Sequence, residues 1–452
     1  MKDRKIKIEV SQEAIKYTFK NAIQEVESLR EFYTMYRDTW IKDKLAFEQK
    51  YAIALEINKV IEKLADSEDI ENEYSRVKES MIGGTKFQDI IELNLEKSEK
   101  PARISYSMRK KYMDQDPQKA RDRENKYKQQ KEIFVRSILS NIVIIFERYF
   151  ARIFEFVVVL DPEKYFEGKT VKINELFCSS YQQIIRNEVQ RYVSDNMYDS
   201  LKTLDLMKQK SGFNIDRYVP IQDEFEEVYY RRNIFVHNSG IINDIYINSV
   251  SEKYKKNLKS NTKLICDDVY IEAAIETLKK VVCVLLYEFL LGTNASSESY
   301  NILGDIAFSS LSNKQYSFCE FIYDVLRRHK NFDFADKAMY EVNYMIALKQ
   351  QGKSISKNLE KFDTSAMQEQ FVVAKYCLQD DNENVYRLLN KMYPDTMSIE
   401  AIRDWPLFID FRKSKEYDQF VSEHKQEFEV YSFETSDLPQ SEEIADVICN
   451  EP

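Results

Sequence analysis

Two side chains with complementary chemistry, Arg232 and His237, lie close together in Tyr229-Tyr230-Arg231-Arg232-Asn233-Ile234-Phe235-Val236-His237-Asn238-Ser239-Gly240. An imidazole titrates near neutrality and can take or give a proton, while a guanidinium keeps its charge and can hold two oxygens of a phosphate at once. Asn233, directly after the arginine, adds a carboxamide that could orient a phosphate or brace a loop. The stretch stands out because the 452-residue chain has only three histidines. The other two, His329 in Arg327-Arg328-His329-Lys330 and His424 in Glu423-His424-Lys425, have no neighbours at metal-ligand spacing and read as solvated helix residues.

Helices are the elements that must position this set. Pro220 and Asp223 give a start-and-cap signal, and Asn238 and Gly240 are residue types that close a helix in the left-handed conformation. At 100° per residue Arg232 falls in line with Phe225, Val228, Tyr229 and Val236 on the apolar stripe, and His237 points about 140° away. Convergence of the two requires the helix to tighten or end near Val236, or a second subunit to supply the other half. Around it the pattern gives a long helix over about 130–160, closed by Asp161-Pro162, and a helical pair over about 171–210. A final helix follows over about 267–291, with Val269, Ile275, Leu278, Val282, Leu285 and Phe289 on one stripe.

An arginine and a histidine separated by four residues, with asparagine next to the arginine, on a late helix followed by a loop and a long amphipathic helix, resemble the Arg-x4–6-His signature of the HEPN superfamily. The resemblance covers residues 131–292, about a third of the chain. It implies a four- or five-helix bundle and a metal-independent endoribonuclease with no cofactor. Such proteins are often toxins or effectors of antiviral defence, and often homodimers whose two motifs face one another. RNA then supplies its own nucleophile, the 2′-hydroxyl, and the protein need only deprotonate it, stabilise the phosphorane and protonate the leaving 5′-oxygen. The resemblance gives proton transfer to His237, the phosphate to Arg232 and its orientation to Asn233, with Arg231 and Asn238 beside them as RNA contacts.

Composition narrows the rest. Eight glycines and eight prolines leave little turn material. An all-α chain is expected, with an N-terminal helical hairpin region over 1–100, a basic linker or helix over 101–130, the bundle, a helical-repeat region over 299–424 and an acidic flexible tail over 425–452. The formal charge of −10 excludes bulk attraction of nucleic acid but leaves room for a local basic path. Residues 103–136 offer one, with eleven basic residues, among them Arg109, Lys110, Lys111, Arg121 and Arg123, against five acidic ones, and with Tyr106, Tyr112 and Tyr127 interleaved. Such a stretch could suit single-stranded RNA, where bases stack on rings and cations track phosphate; it reads first as a solvated linker and helix face, since charge runs are usually surface. Beyond the polar joint at 293–297, short helices alternate with tight turns. They resemble a tetratricopeptide array in irregular register, an α-solenoid able to take a protein partner, capped by Trp405-Pro406-Leu407-Phe408 with Phe411, Tyr417 and Phe420.

Other chemistries find no support. Gly83-Gly84-Thr85-Lys86 lacks the phosphate-loop spacing, the six cysteines form no Cys-x-x-Cys pair, and no residues are spaced to bind a metal. The most apolar segment, 142–160, is broken by Glu147, Arg148, Arg152 and Glu155, which argues against a membrane span. No apolar signal core follows Met1, so a cytoplasmic protein is expected. Two further readings stay open. In one, an inactive bundle dimerises as a scaffold, Arg232 pairs with Glu226 or Glu227, and His237 caps the helix end. In the other, a companion enzyme modifies the motif region at Tyr229, Tyr230 or Tyr246.

Overall fold

With so little glycine and proline to interrupt it, the backbone is helical almost throughout, and the fold is all-α with two small two-stranded sheets. A computed structural model describes residues 12–96, 103–168, 170, 180–213, 218–256, 258–293, 295–330, 332–425 and 428. The chain divides into two compact units, one of 24–151 with 219–278, the other of 1–23, 152–218 and 279–452. Residues 131–292 therefore contribute to both. No helix among the described residues is long and apolar enough to cross a membrane.

At its N-terminal end the first unit keeps the expected helices and places the reversal between Ala65 and Ile70, where helix Ile70–Lys78 packs on helix Ala52–Ala65 and Lys63 bonds Glu73 at 2.6 Å. Helix Gln12–Lys50 and helix Ala52–Ala65 do not reverse on each other. The hydrogen-bond ladder runs through the junction, with Tyr51 N donating to Phe47 O and Leu55 N to Tyr51 O, both at 2.9 Å. No glycine or proline stands there to reverse the chain. A turn at Gly83-Gly84, both with positive φ, then leads into an antiparallel ribbon of Ile91–Glu96 and Arg103–Met108, with Ile91 opposite Met108. This ribbon occupies ground expected to be helix and linker. Its cause is a two-residue alternation: Ile91 and Leu93 are buried while Glu92 and Asn94 face out. Its inner face packs with Ile57, Ile61 and Leu64 of the preceding helix and with Phe87 and Ile90.

The central helix, Pro117–Leu160, starts earlier than its apolar pattern suggested. Its first turn is held by Asn58, whose Nδ2 donates to Pro117 O at 2.8 Å. Further along, Phe134 stacks on Tyr33 and Tyr36 with centroids 5.7 and 3.8 Å apart.

In the second unit the C-terminal helices fall close to their expected places: Asn301–Ser312, Tyr316–Arg327, Phe334–Gln350, Ser356–Lys361, Glu369–Leu378 and Asn382–Met392. Short polar side chains start them, as where Asp333 accepts from Asp336 N and Asp381 from Asn384 N. Helices Ile399–Asp404 and Lys415–Glu423 follow, and the aromatic cap forms, with Phe408, Phe411 and Phe420 buried. His329 is a correction. It is buried, not solvated, with Nδ1 2.9 Å from the Tyr287 hydroxyl and its ring against Tyr300 and Phe332. Burial, then Lys337, lowers its pKa, and it packs as a neutral ring. His424 is half-buried rather than fully solvated, its ring against Tyr393 and Phe420. The segment 171–179 and the tail beyond Lys425, except Phe428, lie outside the described residues.

Replacing buried Ile91 by Ala should destabilise the chain by about 2–5 kcal/mol, whereas its exposed neighbour Glu92→Ala should change stability by less than about 0.5 kcal/mol. Equal effects in urea melts would contradict the ribbon's inward and outward faces.

Candidate functional site

The motif lies on a helix of the first unit, Val219–His237, with Pro220 in its first turn as the start signal requires. The helix runs through His237, one residue beyond the expected end. Asn238 N and Gly240 N both donate to Ile234 O, at 2.9 and 3.1 Å. The left-handed residues are Ser239 (φ 52) and Gly240 (φ 79), not Asn238. Glycine suits the second position because L side chains rarely adopt its positive φ. Asn238 instead braces the turn, its Nδ2 donating to Ile241 O. The loop that follows is clasped at its base, where Ile242 N donates to Thr262 O at 2.9 Å and Leu264 N to Gly240 O at 2.8 Å.

The buried face of this helix is turned slightly from the predicted stripe. Phe225, Glu227, Val228, Arg231, Ile234 and Phe235 are buried, while Val236 and His237 are exposed. Arg232 and Asn233 sit at the margin, half-buried. The centre of the buried face is Glu227, only 1% exposed. Its carboxylate accepts from Arg231 Nε at 2.6 Å, from the Tyr246 hydroxyl and from the Tyr270 hydroxyl at 2.7 Å. Arg231 also donates to Ile265 O and lies 3.9 Å from the centre of the Tyr270 ring. Burial opposes its charge, but Tyr270, Glu227 and Tyr246 hold its pKa above the ordinary range. Burial, then Glu227, pushes both phenols up as well. Arg231, expected as an RNA contact, is therefore a structural cation: only 9% exposed, with its guanidinium committed to the carboxylate, the carbonyl and the ring.

Arg232 is differently placed. Its Nη1 donates to Asn233 Oδ1 at 2.9 Å, and its Nε is buried without a hydrogen-bond partner. The carboxylate partnership considered for Arg232 belongs to Arg231. On one helix, at 100° per residue, Arg232 and His237 diverge by about 140°, and because the helix continues through His237 the pair does not converge by early helix termination. Sequence reading missed the Glu227 cluster, although Glu227 and Arg231 stand at i and i+4 in the favourable order. The two tyrosines that complete it come from distant segments and left no local signal.

The basic stretch is only partly available to a ligand. Arg109, Lys110 and Lys111 are exposed at the end of the ribbon. Arg121 is 3.5 Å from Glu62, and Arg123 lies over the Tyr127 ring at 4.9 Å. The interleaved tyrosines turn inward. Tyr106 donates to Asp116 at 3.2 Å, Tyr112 lies 3.1 Å from the Thr85 hydroxyl, and Tyr127 is buried against Trp40 and Phe47. Tyr127 is closed to base stacking, and Tyr106 and Tyr112 are half-buried against the apolar cluster under the ribbon. Tyr246 is likewise closed to modification, while Tyr229 bonds Glu147 at 3.3 Å. Burial pushes the Cys266 thiol up to about 12, which disfavours the thiolate a nucleophile needs. Among the described residues no group of three or more His, Cys, Asp or Glu side chains could hold a metal ion. No family model, no curated protein and no solved structure matches the chain.

Adjacent arginines should behave oppositely on truncation. Arg231→Ala strands a buried carboxylate and should cost about 3–5 kcal/mol. Arg232→Ala loses one charge-assisted hydrogen bond but leaves no charge buried, and should cost less, no more than about 1.5–3 kcal/mol. Chemical denaturation measures both, and a larger loss for Arg232→Ala would overturn the assignment. The raised pKa values carry a second expectation. The fold favours the protonated thiol and phenols, so their stabilisation is complete below the ordinary values of 9.0 and 10.0 and is lost as the pH rises above them. The Tm should hold level to about pH 9 and fall between about pH 9 and 12; a Tm that climbs across that interval would contradict it.

Proposed function

We propose that this chain is a HEPN-type, metal-independent endoribonuclease that acts on cytoplasmic RNA as a homodimer, as a toxin or defence effector. One observation carries the reading: of two adjacent arginines, Arg231 performs the structural task and Arg232 is left half-buried, bonded to Asn233 and without a carboxylate partner among the described residues. Such a cation is suited to an external anion. His237 is exposed on the last turn of the same helix, free to meet a ligand or a second copy.

Because the two diverge on one helix, the reading joins Arg232 and Asn233 of one protomer with His237 of the other. Exposed apolar side chains close to the motif favour such a contact. Val236 precedes His237, and Ile265 and Val269, each 77% exposed, lie on the segment whose Ile265 carbonyl is bonded to Arg231. In the shared site His237 takes the 2′-hydroxyl proton or returns one to the leaving oxygen, Arg232 neutralises the phosphorane, and Asn233 fixes the Arg232 fork. Arg109, Lys110 and Lys111 would add non-specific phosphate attraction. The scaffold reading keeps the dimer and a partner on the C-terminal helices but leaves Arg232 and Asn233 without a task.

Purified chain should cleave total RNA in the presence of EDTA, with Arg232→Ala and His237→Ala each slowing cleavage by about 10²–10⁴-fold. Mixing the two inactive variants should restore roughly a quarter of the wild-type rate, since each mixed two-fold dimer keeps one intact composite site. Undiminished cleavage by either variant would sink the catalytic assignment, and a mixture with no recovery would sink the shared site.

A further inference from the structure

The C-terminal array carries a second feature that RNA cleavage does not use. The short helix Ser356–Lys361 is inserted between helices Phe334–Gln350 and Glu369–Leu378, which pack on each other. Beside it opens a groove of about 690 Å3, within the range of about 300–1,000 Å3 usual for ligand pockets. Lys337, Lys357 and Lys361 line it against Asp363. Arg327 and Glu341, also in its wall, satisfy each other at 2.8 Å. Lys357 and Lys361 have no ion pair among the described residues, and the Lys337 ammonium reaches only a backbone carbonyl, Lys330 O at 3.2 Å. Phe334 stands among them 68% exposed. The groove thus offers uncompensated positive charge beside a bare aromatic ring, which suits an acidic segment with apolar side chains.

This chain contains such a segment. Residues 426–452 hold eight carboxylates and no lysine or arginine, with Ile444, Val447 and Ile448 set among Glu442, Glu443 and Asp446. The segment leaves from helix Lys415–Glu423, which is held on Asn382–Met392 by Tyr386 donating to Glu423 at 2.7 Å. Asn382–Met392 packs on Glu369–Leu378, and that helix on Phe334–Gln350. Three such steps at about 8–10 Å between packed axes, with the width of the groove, make about 30–40 Å. The fourteen residues from Phe428 to Glu442 span about 46 Å when extended, so Glu442 and those after it are within reach.

We propose that the segment from Glu442 to Glu451 occupies this groove within its own chain, its carboxylates facing Lys337, Lys357 and Lys361 and its apolar residues covering Phe334. Docked there, it competes with any acidic partner for the same surface. The proposal stands whether or not Arg232 and His237 cleave RNA.

Zero-length carbodiimide coupling of the full chain, mixed from light and 15N-labelled copies and read by mass spectrometry, tests it. Lys357 and Lys361 should couple to Glu442, Glu443 or Asp446 several-fold more than the exposed Lys110 and Lys111 do. The links should join residues of one copy and fall several-fold at high salt. Phe334→Ser, which removes no reacting group, should lower their yield several-fold. Absent links, equal coupling at Lys110 and Lys111, or links only between light and heavy copies would each overturn it.

Discussion

The carboxylate of Glu227 joins the motif helix to the segments that follow it in sequence. Burying a carboxylate costs several kcal/mol unless its lone pairs are met, and here Arg231, Tyr246 and Tyr270 meet them. Tyr246 belongs to the short helix Asp244–Ser249 after the motif helix and Tyr270 to the next long helix, so one charge pins both. Arg231 extends the tie to Ile265 O. The loop cannot drift without exposing or orphaning that charge, which fixes how the end of the motif helix is presented.

From this follows the difference between neighbouring arginines. A helix step of 100° turns Arg231 into the Glu227 cluster and leaves Arg232 at the margin beside Asn233. The same geometry sends His237 to another side of the helix, because the left-handed residues come at Ser239 and Gly240, after the histidine. An active site built from Arg232 and His237 therefore calls for two copies of the helix. The exposed Val236, Ile265 and Val269 give a second copy something apolar to cover.

Much of the helical framework was legible in the sequence because its signals are local. Pro220 marks the start of the motif helix, Asp333 and Asp381 cap the helices they precede, and the C-terminal boundaries followed from turn residues. What escaped depends on period or on distance. The alternation of Ile91, Glu92, Leu93 and Asn94 was a readable strand signal lost within a helical chain. The burial of His329 arises from Tyr287 and Tyr300, on other elements, and nothing in Arg327-Arg328-His329-Lys330 announces it. The inward turn of Tyr106, Tyr112 and Tyr127 has the same cause: aromatic interleaving looks alike whether the rings face solvent or core. At the motif itself, the residue types were evident, but which arginine would be consumed by the fold depended on Glu227 finding two tyrosines far along the chain.

The nature of the 3′ ends left on RNA by the wild-type chain in EDTA tests the central claim most directly. Attack by the 2′-hydroxyl leaves 2′,3′-cyclic phosphate or its opened 3′-phosphate, and the account predicts these ends, absent after His237→Ala. Ends that are 3′-hydroxyl, or cyclic ends that persist without His237, would contradict it.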